Sequence, residues 1–255
     1  MSEPEVSIVI PAFDEAHRIV DSLVRIDAFL REHSLGWEVV VVDDGSRDDT
    51  AGLAERFASS HPGFQVLRAR HGGKGAALRA GVEAARGAYY LICDADLAVP
   101  IEQALRLLPA ALGDFDLAIG SREAPGAARI GEPRSRHWMG RCFNGWARLV
   151  AVPGISDTQC GFKCFRAPVA RELFALQRLG GWAFDVELLF LARRRGCVVR
   201  EVGVEWHYRD GSKVSPLRDA RAMFFDVLRV RWNQLRGRYR PGAALDRTAG
   251  GLAAH

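Results

Sequence analysis

Asp94 and Asp96 stand one residue apart, at the end of the apolar run Tyr89-Tyr90-Leu91-Ile92-Cys93. Two carboxylates closing a stretch built for burial need something positive to meet them. In an extended chain residues i and i+2 share a side, and a bend at a strand's end lets both acids converge on one point. Oxygen-only ligands of this kind suit a hard divalent cation, Mg²⁺ or Mn²⁺. The same pair could also simply begin a turn, a common use of Asp. The two readings are separated by what else the chain brings to that place.

Gly72-Gly73-Lys74-Gly75 sets glycines around one lysine before a helical pattern. Backbone N–H groups and the Lys74 charge there could meet a phosphate. Neither the P-loop pattern nor G-x-G-x-x-G is present, so a standard nucleotide loop is not expected. Asp43-Asp44-Gly45-Ser46 ends a valine-rich run. It could turn the chain and cap a helix, or offer Asp44 to a nucleobase N–H or a ribose hydroxyl. Arg122, Arg134, Arg136 and Lys213 fall on loops or element ends, where cations near a diphosphate would neutralise charge developing on a leaving group. Arg134 reads better as a solvated surface charge. Asp157 and Asp185 lie among aromatic residues in Asp157-Thr158-Gln159-Cys160-Gly161-Phe162-Lys163 and Trp182-Ala183-Phe184-Asp185-Val186-Glu187. Asp185 could begin a helix and complement its dipole, and either acid could hold a sugar hydroxyl.

The elements that must position these residues alternate. Strands are predicted at Val6–Ala12, Trp37–Val42, Phe64–Leu67 and Tyr89–Cys93. Helices follow them from about Ile19 (with Ile19, Leu23, Ile26 and Leu30 inward), over Thr50–Ser60, from Gly72 to Ala85, and over Pro100–Leu112. Strand and helix alternating in this way predict an α/β fold, a mostly parallel central sheet with helices on both faces. Ligands of such sheets bind beyond the carboxyl ends of the strands. Pro11 to Glu15, Asp44, Arg68 and the Asp94–Asp96 pair all lie there. The second half is less regular. A strand is predicted at Phe115–Gly120, a mobile loop over Glu123–Glu132, helices over Arg134–Val150, Pro168–Leu176 and Phe184–Arg195, a turn and short strand over Ile155–Phe165, and a strand over Val198–Trp206.

A last helix, Pro216–Arg236, puts Leu217, Ala220, Phe224, Leu228 and Leu235 on one face by helical spacing, beside Arg218, Arg229 and Arg236. It could pack on the sheet or lie on an anionic membrane surface. Nucleic acid is not an expected partner, since no recognition motif accompanies the charge.

With 255 residues, 48% of them hydrophobic, the chain can build one large core. A single domain over 1–242 with a disordered tail at 243–255 is expected. Five cysteines without metal-ligand spacing read as reduced thiols of a cytoplasmic protein. No signal-peptide pattern opens the chain, and no apolar run reaches the roughly 18 residues of a membrane span.

Taken together, Ile8-Val9-Ile10-Pro11-Ala12-Phe13-Asp14-Glu15, Val41-Val42-Asp43-Asp44-Gly45-Ser46, Gly73-Lys74-Gly75, Asp94-Ala95-Asp96 and Gly120-Ser121-Arg122 resemble the family 2 glycosyltransferases of the GT-A fold. The segments at 157–163, 182–187 and Gly211-Ser212-Lys213 are similar to the branch that includes dolichyl-phosphate β-glucosyltransferase and bacterial polyprenyl-phosphate glycosyltransferases. Phe13-Asp14 departs from the Tyr-Asn often found in the family. The resemblance implies an inverting transfer of a hexose, glucose above others, from a UDP-sugar to a polyprenyl or dolichyl phosphate, on the inner face of a membrane. It implies that Pro11, Ala12 and Glu15 line the nucleotide and that Asp44 holds the uracil. Asp94 and Asp96 hold the metal, with Ala95 lining the same site. Arg122, Arg136 and Lys213 meet phosphates of donor or acceptor. A phosphate acceptor needs no general base; a hydroxyl acceptor would, with Asp157 or Asp185 as candidates. Alternatives are a GT-A transferase acting on a small phosphorylated or hydroxyl acceptor, and a non-catalytic nucleotide-sugar-binding domain of a membrane assembly.

Overall fold

The β-branched runs of the first half form strands because both faces of each are covered by helices, as parallel sheets require. The computed structural model describes residues 4–33, 36–209 and 218–239, without the side chains of 135, 136 and 218–220. In chain order, β1 (Val6–Ala12), α1 (Ile19–Glu32), β2 (Trp37–Asp43), α2 (Thr50–Ser60), β3 (Phe64–Arg68), α3 (Lys74–Ala84) and β4 (Tyr89–Ile92) follow the predicted alternation. The predicted helix after β4 is instead a 3-10 helix, Ile101–Leu107, and one short turn, α4 (Pro109–Leu112). Leu108 between them is extended, at φ −92° and ψ 159°, as expected of a residue before proline.

The rest comprises β5 (Leu117–Ser121), β6 (Ala128–Ile130), α5 (Arg134–Val150), β7 (Lys163–Arg166), α6 (Ala167–Leu176), α7 (Phe184–Arg194), β8 (Val199–Gly203), β9 (Glu205–His207) and α8 (Arg218–Leu235). Seven strands make one sheet in the order β3-β2-β1-β4-β7-β5-β8. All neighbours are parallel except β7, which runs antiparallel between β4 and β5. β1 lies between β2 and β4, so the strand order reverses there and opens a crevice at the carboxyl ends.

Alternation along each strand sends residues to two apolar layers. Val9, Val40, Val42 and Tyr90 pack with α3, α6 and α7, and Ile8, Ile10, Val39 and Val41 with α1 and the 3-10 helix. The apolar spacing of α1 is met by Ile19, Leu23, Ile26 and Phe29, all buried, while Leu30 is partly covered.

Two expectations for the second half are revised. Glu123–Glu132 is not a plain loop. It carries β6, which pairs with β9, and Arg129 ties its ends through Glu123 and Glu132, each at 2.7 Å. The single strand predicted over Val198–Trp206 is two, interrupted at Val204. There Gly203 lies so near the chain at 124–127 that a Cβ would stand 2.3 Å from the Pro125 carbonyl oxygen. The expected tail at 243–255 lies outside the described residues.

Candidate active site

Beyond Ile92 the chain turns at once. Leu97 N–H bonds the Asp94 carbonyl oxygen at 3.1 Å, and Leu97 adopts φ 47°. The Ala98 N–H donates to Asp96 Oδ1 at 2.9 Å, and the Ala95 carbonyl accepts from Ser22 Oγ of α1 at 2.6 Å. The turn is thereby anchored, and both acids are half-buried at its mouth. Burial and the neighbouring Asp94 charge push the Asp96 carboxyl above its ordinary range.

A cation already stands on the pair. Lys74, first residue of α3, places Nζ 2.5 Å from Asp94 Oδ1. Burial opposes the Lys74 charge, but Asp94, Asp185 and Asp96 outweigh it and hold the ammonium above its usual pKa. The glycines around Lys74 allow this approach. Gly73 takes φ 89°, and a Cβ on it would stand 2.6 Å from the Gly180 carbonyl oxygen, which also accepts the Gly75 N–H at 2.8 Å. Asp94 is confined from the other side too, since a Cβ on Gly161 would lie 2.2 Å from its Oδ2.

Asp44 is buried, and its carboxylate oxygens accept the N–H groups of Gly72 and Gly73 at 2.8 and 3.0 Å. It therefore shapes the loop that presents Lys74, a duty its sequence position does not reveal. His71, 2.9 Å from Asp44, stacks on Phe13 with ring centroids 4.4 Å apart. Pro11 and Ala12 end β1 nearby. Glu15 pairs with Arg18 at 2.7 Å, and its N–H donates to Thr50 Oγ1. The edge formed by Pro11, Ala12, Glu15, Asp44, Lys74 and the acid turn is the one the sequence predicts.

Asp157 and Asp185 are placed differently from the general bases considered for a hydroxyl acceptor. Asp157 is 0% exposed and grips Arg122 bidentately, with Nε at 2.7 Å and Nη2 at 2.8 Å. Burial alone would raise the Asp157 pKa, but Arg122 holds the carboxyl far below its usual range. Its segment is fixed by Glu201, which accepts the N–H groups of Ser156 and Asp157, and by Asn144, which accepts from Thr158. Asp185 forms a buried ion pair with Lys163 at 2.6 Å. Desolvation raises its pKa, with Lys163 and Lys74 partly offsetting this. A base must reach the proton it takes, and both acids are committed to cations instead.

Arg122 also lies 5.5 Å from the Trp206 ring centroid. Arg136 lies on α5 but its side chain is outside the described set, and Lys213 is outside the described residues. Arg134 is exposed, as expected, at a recess of about 440 Å³ that Arg129, Glu132, His137 and Trp138 also line. Gly161 and Lys163 were visible in the sequence as parts of a motif. No local pattern revealed that one gives Asp94 room and the other neutralises Asp185.

Among the described residues no group of three or more His, Cys, Asp or Glu side chains could hold a metal. Two acids still fit Mg²⁺ or Mn²⁺, which commonly take one or two carboxylates and complete their shell with substrate phosphates and water. Lys74 Nζ rests on Asp94, and both acids help keep its ammonium charged.

The sheet order and the antiparallel β7 define the GT-A fold, with the acid turn at its switch point. Residues 7–174 match the model of glycosyl transferase family 2, and the chain belongs to that family. Within it, the chain is 39% identical over 230 residues to the dolichyl-phosphate β-glucosyltransferase of Drosophila melanogaster, covering 83% of this chain and 70% of the relative. It is 34% identical over 254 residues to that of Saccharomyces cerevisiae, covering 92% and 76%. A structure of glucosyl-3-phosphoglycerate synthase from Mycobacterium tuberculosis with Mn²⁺, UDP-glucose and phosphoglyceric acid superposes with a TM-score of 0.65 at 21% identity, covering 94% of this chain and 82% of that one. The chain is a glycosyltransferase, and these two relatives are dolichyl-phosphate β-glucosyltransferases.

Proposed function

We propose that this enzyme transfers glucose, with inversion, from UDP-glucose to a polyprenyl phosphate at the cytoplasmic face of a membrane. The observation that carries the acceptor assignment is the commitment of Asp157 and Asp185 to buried ion pairs. A hydroxyl acceptor needs a base, and the two acids proposed for that task are engaged elsewhere. A phosphate monoester, whose second pKa is about 6, arrives at neutral pH as a nucleophile and needs only positioning by cations.

In this reading Pro11, Ala12 and Glu15 line the nucleotide. Asp44 accepts from the uracil, since each carboxylate oxygen can take a second bond, and Lys74 reaches the diphosphate. Asp94 and Asp96 would hold Mg²⁺ or Mn²⁺, which as a Lewis acid supports charge on the departing UDP. Asp157 takes two of the five guanidinium N–H donors of Arg122 and thereby orients the remainder toward phosphate. Arg136 and Lys213 are assigned to acceptor or donor phosphate.

The membrane contact is supported by what α8 leaves uncovered. Of the predicted face, Leu228 and Leu235 are exposed and Phe224 stacks on Trp146 of α5, with ring centroids 4.3 Å apart; Val227, Val230 and Asn233 are the buried positions instead. Phe225, Leu228, Trp232 and Leu235 are exposed beside Arg229 and Arg236. On the adjoining α5, Trp138, Met139 and Leu149 are exposed among Arg134, Arg141 and Arg148. Aromatic and aliphatic side chains edged by arginine suit an anionic lipid surface. No helix among the described residues is long and apolar enough to cross a membrane.

The test is a transfer assay with UDP-glucose, Mg²⁺ or Mn²⁺, and a polyprenyl phosphate beside soluble acceptors that include 3-phosphoglycerate. Glucosyl-lipid formation that Asp96→Ala abolishes is expected. Product on a soluble acceptor with none on lipid would reject the acceptor assignment, and full turnover in Asp96→Ala would reject the metal assignment.

A further inference from the structure

We propose that Lys74 competes with the divalent cation for Asp94 and so makes cation binding conditional on the donor's diphosphate. The inference rests on the metal assignment above and adds an order of events to it. Lys74 Nζ and Asp94 Oδ1 are 2.5 Å apart, so a metal ion approaching that oxygen meets an ammonium already there. Asp94 has little freedom to turn away, because Oδ2 sits over Gly161, 2.2 Å from where a Cβ would be. The root of Lys74 is equally fixed: Gly73 abuts Gly180, and Gly75 N–H is bonded to Gly180. Only the flexible stem of Lys74 can respond.

The surrounding charges determine where it can go. The other carboxylate acting on Lys74 from across the site is Asp185, and Lys163 already neutralises Asp185 at 2.6 Å. Arg18, which also acts on Asp96, brings its own partner, Glu15, at 2.7 Å. Counting Asp94, Asp96 and Asp185 against Lys74 and Lys163 leaves one net negative charge. A divalent cation alone would reverse the sign of this poorly hydrated cluster. A cation arriving with the roughly doubly charged diphosphate of a nucleotide sugar would restore it, and would also give the displaced Lys74 ammonium new oxygens to bind. Without Lys74 the cluster carries two negative charges, and a divalent cation alone would neutralise it.

The experiment is Mn²⁺ binding, followed by the electron paramagnetic resonance of free Mn²⁺, with and without UDP. It needs no turnover. In the wild type Mn²⁺ alone should bind weakly, and UDP should tighten it about 5- to 150-fold, the usual span of coupling between two ligands. Lys74→Met should tighten Mn²⁺ alone by about tenfold or more and reduce the effect of UDP correspondingly. Lys74→Arg, which keeps the charge, should behave as wild type. Mn²⁺ alone should also raise the melting temperature of Lys74→Met more than that of wild type. Lys74→Gln serves in place of Met should the latter not fold, as judged by circular dichroism. Unchanged Mn²⁺ affinity in the folded neutral variant, with the UDP effect intact, would overturn the proposal. A wild type that binds no Mn²⁺ even with UDP would instead reject the metal assignment beneath it.

Discussion

Asp157→Asn removes one charge from the buried pair and keeps its shape. Four donors meet the Asp157 carboxylate: Arg122 Nε at 2.7 Å, Nη2 at 2.8 Å, the Arg122 N–H at 3.0 Å and the Gln159 N–H at 3.1 Å. Asp157 is 0% and Arg122 15% exposed, so solvent screens this pair little. Removing one partner of a buried pair costs about 3–5 kcal/mol, because the other charge is left uncompensated. The asparagine carbonyl oxygen still accepts two of the four bonds, while its amide N–H₂ meets the other two donors, and the retained bonds favour the lower end, about 3 kcal/mol. For a chain of this size 1 kcal/mol moves the melting temperature by about 2–4 °C, so a fall of about 6–12 °C is expected. Thermal unfolding followed by circular dichroism measures it. Arg122→Met together with Asp157→Asn should cost less than the two single changes added, since the pair acts as a unit. A general base behaves differently: its loss abolishes turnover, removes a limb of the pH–rate profile and leaves stability nearly unchanged. Asp157→Asn melting within about 1 °C of wild type while losing turnover would refute the clamp and restore the base.

Gly161→Ala should force Asp94 to shift, because its Cβ would lie 2.2 Å from Oδ2. A displacement on this scale near reacting groups can cost about 10²-fold, and kcat/KM for UDP-glucose is the measure. Glu38 is buried against Ser7 and Arg86, with bonds of 2.6 to 3.1 Å. Its burial is outweighed by those donors, so its folded pKa is lowered. The unfolded chain therefore binds more protons, and this contribution is present above about pH 4.3, the unfolded value, and lost as pH falls through the lower folded value. The stability advantage of wild type over Glu38→Gln, measured by urea unfolding, should accordingly shrink from pH 7 toward pH 2–3. Trp232→Ser with Leu235→Ser should weaken sedimentation with anionic phosphatidylglycerol vesicles about tenfold or more, since each lost apolar contact is worth about 1.5–3 kcal/mol at full burial. The same double change should leave the melting temperature nearly unchanged, as both side chains are exposed.

The first half of the fold was legible because its signals are local. Val39 to Val42 can be read as a strand buried on both faces from four residues, and the positions of Asp44 and Asp94 follow from where such strands end. The second half depends on partners distant in sequence. β7 runs antiparallel between β4 and β5, and nothing within Lys163–Arg166 encodes that insertion. Asp157 looked available as a base because Arg122 is 35 residues away. Asp185 looked like a helix-start acid because Lys163 approaches it from another element. On α8 helical spacing groups Leu217, Ala220, Phe224, Leu228 and Leu235, but spacing alone does not tell which apolar stripe meets the protein, and Leu217 lies outside the described residues. Val227 and Val230 are buried, while Leu228 is exposed and Phe224 stacks on Trp146 of α5.

α5 joins the two parts of the proposed acceptor path. Its buried Asn144 accepts both the N–H and the hydroxyl of Thr158, and so fixes the segment whose Asp157 holds Arg122. On the other side of the same helix Trp138 is 70% and Leu149 81% exposed. At 100° per residue these two lie about 120° and 140° around the helix from Asn144. A helix with its side chains is about 10–12 Å across, so a membrane touching Trp138 and Leu149 lies roughly that far from the Thr158 segment. The phosphate of a polyprenyl lipid would then need to rise only about one helix diameter to meet Arg122, with its chain remaining in the bilayer. A change on the outer stripe of α5 should thus raise KM for a long-chain polyprenyl phosphate in vesicles while leaving KM for UDP-glucose unchanged. Equal effects on both substrates in Trp138→Ser would contradict this division of α5 into a site-holding face and a lipid-facing one.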